Sequence, residues 1–222
     1  MSVDGLSGGL VVSIQPPAGS ALDEPSIVAA MAACALENGA AGVRIEGVSR
    51  IAAVRARLPN AHIIGLIKNR VPGFDTYITS SLSDVSGVLD AGASIVALDA
   101  TARSRADGSA FADAVNAIHH RGALAFADCA LVEDAQRAQA AGADMLATTL
   151  CGYTAETRNE PLPALGLVAA IANLKGFTVC EGGVGSPAQA ADAFAAGADA
   201  VVVGTALTNL DVLVRRFAEV RR

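Results

Sequence analysis

The sequence contains no block of lysine or arginine, and its formal net charge over 222 residues is −6. Proteins that grip a phosphate backbone gather positive charge on one face, so a nucleic-acid partner is not expected. There is no basic stretch leading into an apolar run near Met1, and no window with the roughly 18 uninterrupted apolar residues that a membrane span requires. The expectation is a soluble, cytoplasmic protein with no membrane partner. Cysteine is sparse and dispersed: Cys34, Cys129, Cys151 and Cys180 form no Cys-x-x-Cys pair, which argues against both disulfides and zinc. Charged residues make up only 17% against 52% apolar. That balance suits buried strands between Ala-rich helices rather than a disordered chain. The length suits one domain, residues 1–222, and leaves no room for a second.

The chain repeats a phrase in glycine and alanine. It occurs as Asn38-Gly-Ala-Ala-Gly-Val-Arg-Ile, Ala91-Gly-Ala-Ser-Ile-Val-Ala-Leu, Ala141-Gly-Ala-Asp-Met-Leu-Ala and Ala196-Gly-Ala-Asp-Ala-Val-Val-Val. Looser copies begin at His120 and Leu174. Each copy reads as a helix end, a turn closed by a left-handed glycine, and a short buried strand. Eight apolar runs fit the strand role: Leu10–Ile14, Val43–Ile45, Ile63–Ile67, Ile95–Leu98, Ala123–Ala127, Met145–Thr148, Phe177–Cys180 and Ala200–Val203. Helix-compatible stretches separate them, and Ser186-Pro187 and Asp23-Glu24-Pro25 read as helix starts. Near-continuous Val/Ile/Leu content without polar alternation is the mark of parallel strands covered on both faces. The pattern predicts an α/β protein, a (β/α)8 TIM barrel, over an open doubly wound sheet.

In such a barrel, chemistry sits where the strands end. The polar residues at those ends are Gln15; Arg44 and Glu46; Lys68; Asp99; Asp128; Thr148, Thr149 and the Gly152-Tyr153 turn; Glu181; and Gly204-Thr205. Any one could be a solvated loop residue. Several charges converging on one rim, however, form a costly desolvated cluster unless function calls for it. Lys68 follows a fully apolar run, where burial disfavours its charged form, so it can serve as a general base or as a Schiff-base nucleophile. Glu181 is the second acid or base; the plainer alternative is a Lys68–Glu181 ion pair. The glycines of Glu181-Gly-Gly-Val-Gly-Ser-Pro and Val203-Gly-Thr-Ala suggest a phosphate cradle at Gly182, Gly183, Gly204 and Thr205. His119-His120 reads as a surface pair near a helix end, Tyr77 and Thr79 as equally suited to the cavity mouth or to loop packing, and no metal site is expected.

The strand-end words taken together resemble the bacterial N-acetylmannosamine-6-phosphate 2-epimerase family. The matching segments are Gly9-Leu-Val-Val-Ser-Ile-Gln, Val43-Arg-Ile-Glu-Gly-Val, Ile63-Ile-Gly-Leu-Ile-Lys, Tyr77-Ile-Thr, Ala97-Leu-Asp-Ala-Thr, Ala127-Asp-Cys, Thr148-Thr-Leu-Cys-Gly-Tyr-Thr and Cys180-Glu-Gly. The resemblance implies a TIM-barrel isomerase that interconverts N-acetylmannosamine 6-phosphate and N-acetylglucosamine 6-phosphate in sialic acid and amino-sugar breakdown, working as a homodimer. It implies that Lys68 and Glu181 are catalytic and that Gln15, Arg44 and Asp128 hold the sugar and its acetamido group; Thr149, Gly152 and Tyr153 are further candidates for substrate contact. Such a reaction moves a proton next to a carbonyl and needs no redox or metal cofactor. The chain departs from the family at two places, with Gly183 and Asn209 where the family carries arginines. Arg70, Arg103 and Arg105 are the candidates to replace that lost charge. An aldolase-like Schiff-base enzyme and a non-catalytic sugar-phosphate-binding barrel stay open as alternatives.

Overall fold

The computed structural model describes residues 2–220, so the first residue and the last two of the expected 1–222 domain lie outside the described residues. Eight parallel strands close on themselves in sequence order: β1 (Gly9–Ile14), β2 (Gly42–Glu46), β3 (Ile63–Leu66), β4 (Ile95–Asp99), β5 (Leu124–Asp128), β6 (Met145–Ala147), β7 (Phe177–Glu181) and β8 (Ala200–Val203). Seven helices fill the connections: α1 (Pro25–Glu37), α2 (Val48–Arg57), α3 (Leu82–Asp90), α4 (Phe111–His120), α5 (Val132–Ala140), α6 (Leu165–Ala172) and α7 (Pro187–Ala195). After β8 come a short α8 (Thr205–Thr208) and α9 (Leu210–Ala218). Closure of β8 onto β1, with Val12 level with Val203, decides for the barrel and against an open sheet.

The glycine phrases do the turning expected of them. Gly39, Gly92, Gly142 and Gly197 all have φ between 91° and 103°, a region that costs a side chain roughly 1–2 kcal/mol and glycine nothing. In the looser copy Leu174-Lys-Gly the left-handed residue is Lys175 (φ 59°), one position earlier than the glycine. Ser186 caps α7 through the N–H of Gln189 with Pro187 in the first turn. The expected cap at Asp23-Glu24-Pro25 does not form. Glu24 is the cap residue but makes no side-chain bond, and Asp23, one position earlier, is engaged in an ion pair with Arg50 of α2.

Alternate strand positions face opposite ways, and this period of two carries the site. Val12, Ile14, Val43, Ile45, Ile63, Val96, Leu98 and Ala125 pack outward against helices. Val11, Ile64, Leu66, Ile95, Ala97, Phe126, Met145, Ala147, Val179, Ala200 and Val202 fill the barrel interior. Continuing the inward series to the last turn of each strand gives Ser13 on β1, Arg44 on β2, Asp128 on β5 and Glu181 on β7. The polar cluster is therefore the top layer of the barrel core itself. Gly65 on β3 shows how tight the outer layer is, since a Cβ there would lie 2.6 Å from the Cβ of Ala93 and 2.7 Å from Val88 Cγ1.

Candidate active site

A cavity of about 540 Å³ opens at the carboxyl ends of the strands. Ser13, Gln15, Arg44, Lys68, Tyr77, Thr149, Tyr153 and Glu181 line it, together with Gly182, Gly183, Gly204, Thr205, Thr208, Asn209, Leu213 and Arg216 from the β7 and β8 loops, α8 and α9. Lys68 and Glu181 thus share one space, as do all four glycine and threonine positions of the expected phosphate cradle.

Arg44 organises the floor. Its guanidinium donates to both oxygens of Asp128, Nη1 to Oδ1 at 3.0 Å and Nη2 to Oδ2 at 2.9 Å, while Nη1 also lies 2.9 Å from Glu181 Oε2. Arg44 and Asp128 are fully buried, and the Arg44 plane rests over the Phe126 ring, 5.0 Å from its centroid. Burial works against the guanidinium charge, but Asp128 and Glu181 outweigh it and push its pKa up. Thr149 Oγ1 donates to Glu181 Oε2 at 3.2 Å, and Thr148 ties the Glu181 backbone on both sides, accepting from its N–H at 3.0 Å and donating to its carbonyl at 2.9 Å.

Asp128 keeps Glu181 from using Arg44 fully. One positive charge is shared by two carboxylates, and burial together with the Asp128 charge raises the Glu181 carboxyl to about 7, against the lowering influence of Arg44, Thr149 and Lys68. The pair Arg44–Glu181 has ion-pair geometry, yet the carboxyl is still pushed up, because it is buried and a second carboxylate already neutralises the guanidinium. The Lys68 ammonium is held below its ordinary value by the protein packed around it and by the neighbouring Arg44. Its side chain is nonetheless exposed to the open cavity, more so than the apolar run before it suggested. The reason is that β3 ends at Leu66, and Lys68 lies just past that end, in an isolated antiparallel bridge to Ile78.

Two other groups supply unsatisfied polarity. Gln15 Nε2 donates to Ser13 Oγ at 2.8 Å, and its buried Oε1 has no partner. The Arg44 Nε is likewise buried without an acceptor. An acceptor and a donor left unmade at the floor of a cavity cost free energy unless a ligand completes them.

Not every expected residue reaches the space. Asp128 lies beneath the lining and touches it only through Arg44, so it positions rather than contacts. Gly152 is outside the lining as well. It takes φ 84° in a turn, where its N–H donates to Thr157 Oγ1 at 2.9 Å, and it serves to present Tyr153. Glu46 faces the same way as Arg44 but is captured by Arg50 of α2. None of the three arginines expected to replace lost cations lines the cavity. Arg103 pairs with Asp99 at 2.6 Å, Arg105 donates to the Thr79 carbonyl at 2.7 Å, and Arg70 stacks on the Tyr77 ring at 4.3 Å from its centroid. Thr79 packs in the loop, fully buried with its Oγ1 accepting from the Ile67 N–H, whereas Tyr77 does line the cavity. His119 ion-pairs with Asp144 at the surface. Arg216, Leu213 and Thr208 were not anticipated; the spacing Asn209, Leu213, Arg216 puts three lining residues on one face of α9.

The chain is similar to known proteins over most of its length. A family model described as "Putative N-acetylmannosamine-6-phosphate epimerase" matches residues 28–222. A Synechococcus elongatus protein named "Putative N-acetylmannosamine-6-phosphate 2-epimerase" is 42% identical over 215 residues, covering 96% of this chain and 93% of that one. A Salmonella agona protein of the same name is 45% identical over 205 residues, covering 92% and 88%. The solved structure of the N-acetylmannosamine-6-phosphate 2-epimerase from Clostridium perfringens superposes with a TM-score of 0.94 at 32% identity, covering 99% of this chain and 96% of that one.

Proposed function

The chain belongs to the N-acetylmannosamine-6-phosphate epimerase family, and we propose that it inverts carbon 2 of N-acetylmannosamine 6-phosphate to give N-acetylglucosamine 6-phosphate, as an isomerase of amino-sugar and sialic acid breakdown. The observation that carries this reading is the meeting of Lys68 and Glu181 in one cavity above a buried Arg44–Asp128 pair.

In the open-chain sugar, carbon 2 bears a proton next to the carbon 1 aldehyde. Removing it leaves an enolate whose charge rests on the carbonyl oxygen, and returning a proton to the opposite face completes the inversion. We assign Lys68 as the base, since a depressed ammonium pKa gives it a larger neutral fraction near pH 7. Glu181, raised to about 7, carries a proton to deliver at the same pH. The donors Arg44 still has free, Nε among them, suit the enolate oxygen, and the unpartnered Gln15 Oε1 suits an N–H of the acetamido group. Thr149 and Tyr153 complete the sugar's contacts. Gly182, Gly183, Gly204 and Thr205 offer backbone N–H groups to the phosphate.

The same reading treats the whole chain as one catalytic domain. It acts in the cytoplasm, since a phosphorylated sugar does not cross membranes unaided. No helix of the described residues is long and apolar enough to span a membrane. A homodimer is part of this proposal. It is supported by Leu207, Leu210, Val214 and Phe217, large apolar side chains between 54% and 83% exposed along α8 and α9.

The reaction is tested by incubating the protein with N-acetylmannosamine 6-phosphate in deuterated water and following carbon 2 by NMR. The expected result is N-acetylglucosamine 6-phosphate carrying solvent deuterium at carbon 2. No product and no exchange would rule the reaction out.

A further inference from the structure

The cavity has two ends, and its cations differ in kind. Arg44 is fully buried and committed to Asp128 and Glu181. Lys68 stands among the charges of Glu46, Glu181 and Asp128. Arg216 lines the other end, is exposed, and makes no ion pair or side-chain hydrogen bond among the described residues. The backbone N–H groups of Gly182, Gly183, Gly204 and Thr205, on the same side, have no protein acceptor among the described residues either. Neutral amides and one uncommitted guanidinium therefore line the same cavity, whose one lining carboxylate, Glu181, is turned to Arg44.

A 6-phosphate is separated from carbon 2 by four carbon–carbon bonds, so a site that works on carbon 2 must hold the phosphate at a second pole. We propose that Arg216, on α9, is the cation that binds the substrate's phosphate, so that the last helix rather than any strand end makes the enzyme prefer a phosphorylated amino sugar to a free one. This rests on the reaction proposed above. The guanidinium presents a planar fork of donors that matches phosphate oxygens, and its charge strengthens each hydrogen bond relative to the amides around it. Asn209 and Leu213, earlier on the same face, leave the space between Arg216 and the Gly204-Thr205 loop free of competing charge.

The test uses the full-length protein and the variants Arg216→Gln, Arg216→Lys and, as a neighbour that does not line the cavity, Arg215→Gln. Binding of inorganic phosphate is measured by calorimetry, and steady-state kinetics by conversion of N-acetylmannosamine 6-phosphate. For Arg216→Gln, phosphate affinity is expected to fall and KM for the phosphosugar to rise, each by about tenfold to a hundredfold, with kcat changed far less. Arg216→Lys is expected to recover part of the loss, and Arg215→Gln to match the wild type. Equal phosphate affinity in wild type and Arg216→Gln would overturn the proposal, as would an equal loss in Arg215→Gln. A wild-type protein that binds phosphate through Arg216 but does not epimerise the sugar would remove the reaction and leave the phosphate site standing.

Discussion

The substitution Asp128→Asn probes the charge arrangement that gives Glu181 its role. Asp128 accepts from Arg44 Nη1 at 3.0 Å and Glu181 Oε2 lies 2.9 Å from the same nitrogen, so their oxygens lie no more than about 6 Å apart. With an effective dielectric constant of about 20, a full charge at that distance is worth about 3 kcal/mol, or about two pH units on its neighbour. The neutral amide removes that charge and leaves the Arg44 charge entirely to Glu181, and both changes favour the ionised carboxylate. The Glu181 limb of the kcat/KM profile, near pH 7 in the wild type, should therefore move to about pH 5. An acid that must be protonated to act then loses up to about a hundredfold of its competent fraction at about pH 8. Thermal unfolding of the variant gives the structural half of the experiment. Loss of one partner from a buried pair costs about 3–5 kcal/mol when the other charge is abandoned, and less here because Glu181 still accompanies Arg44. A limb that stays near pH 7, or moves to higher pH, would refute the reasoning.

Three further outcomes follow from particular contacts. Glu181→Gln should lower kcat by about a hundredfold to ten-thousandfold and erase the limb near pH 7, which a pH–rate profile measures directly. Gly65→Ala should lower Tm by several degrees, because a Cβ 2.7 Å from Val88 Cγ1 of α3 and 2.6 Å from Ala93 in the turn after it overpacks β3 at a cost of about 1–3 kcal/mol; an unchanged melting curve would contradict the tight packing. Gly183→Arg should destabilise the protein and fail to tighten phosphate binding, since Gly183 has φ 74° and a Cβ there would lie 2.4 Å from the Cβ of Leu162; calorimetry with inorganic phosphate distinguishes this from a simple gain of charge.

The barrel was legible because each repeat carries its own turn chemistry and a continuous apolar run, so local and global signals agree. Most of the site was legible for the same reason: a strand that ends inward delivers its last polar residue to the cavity, as Arg44 and Glu181 show. What the linear pattern leaves open is competition between neighbours. Glu46 has the same orientation as Arg44, yet Arg50, four residues on at the start of α2, claims it, and the spacing alone does not say that this local pair wins over the cavity. Gly152 reads as a rim residue, yet its N–H is needed by Thr157. Arg216 lies beyond the last strand, one of two adjacent arginines on an amphipathic helix, and nothing in the sequence says which of them turns toward the glycine loops. The chain carries Gly183 and Asn209 where the family it resembles has arginines, and the backbone at Gly183 explains the first difference, having no room for a side chain.

Whether Lys68 takes the proton from carbon 2 is best measured by deuterium wash-in. Wild type and Lys68→Ala are each held with N-acetylmannosamine 6-phosphate in deuterated water, and loss of the carbon 2 proton signal is timed by NMR. The account predicts that exchange slows by about a hundredfold or more in Lys68→Ala while the folded spectrum is preserved. Exchange at the wild-type rate in that variant would contradict it.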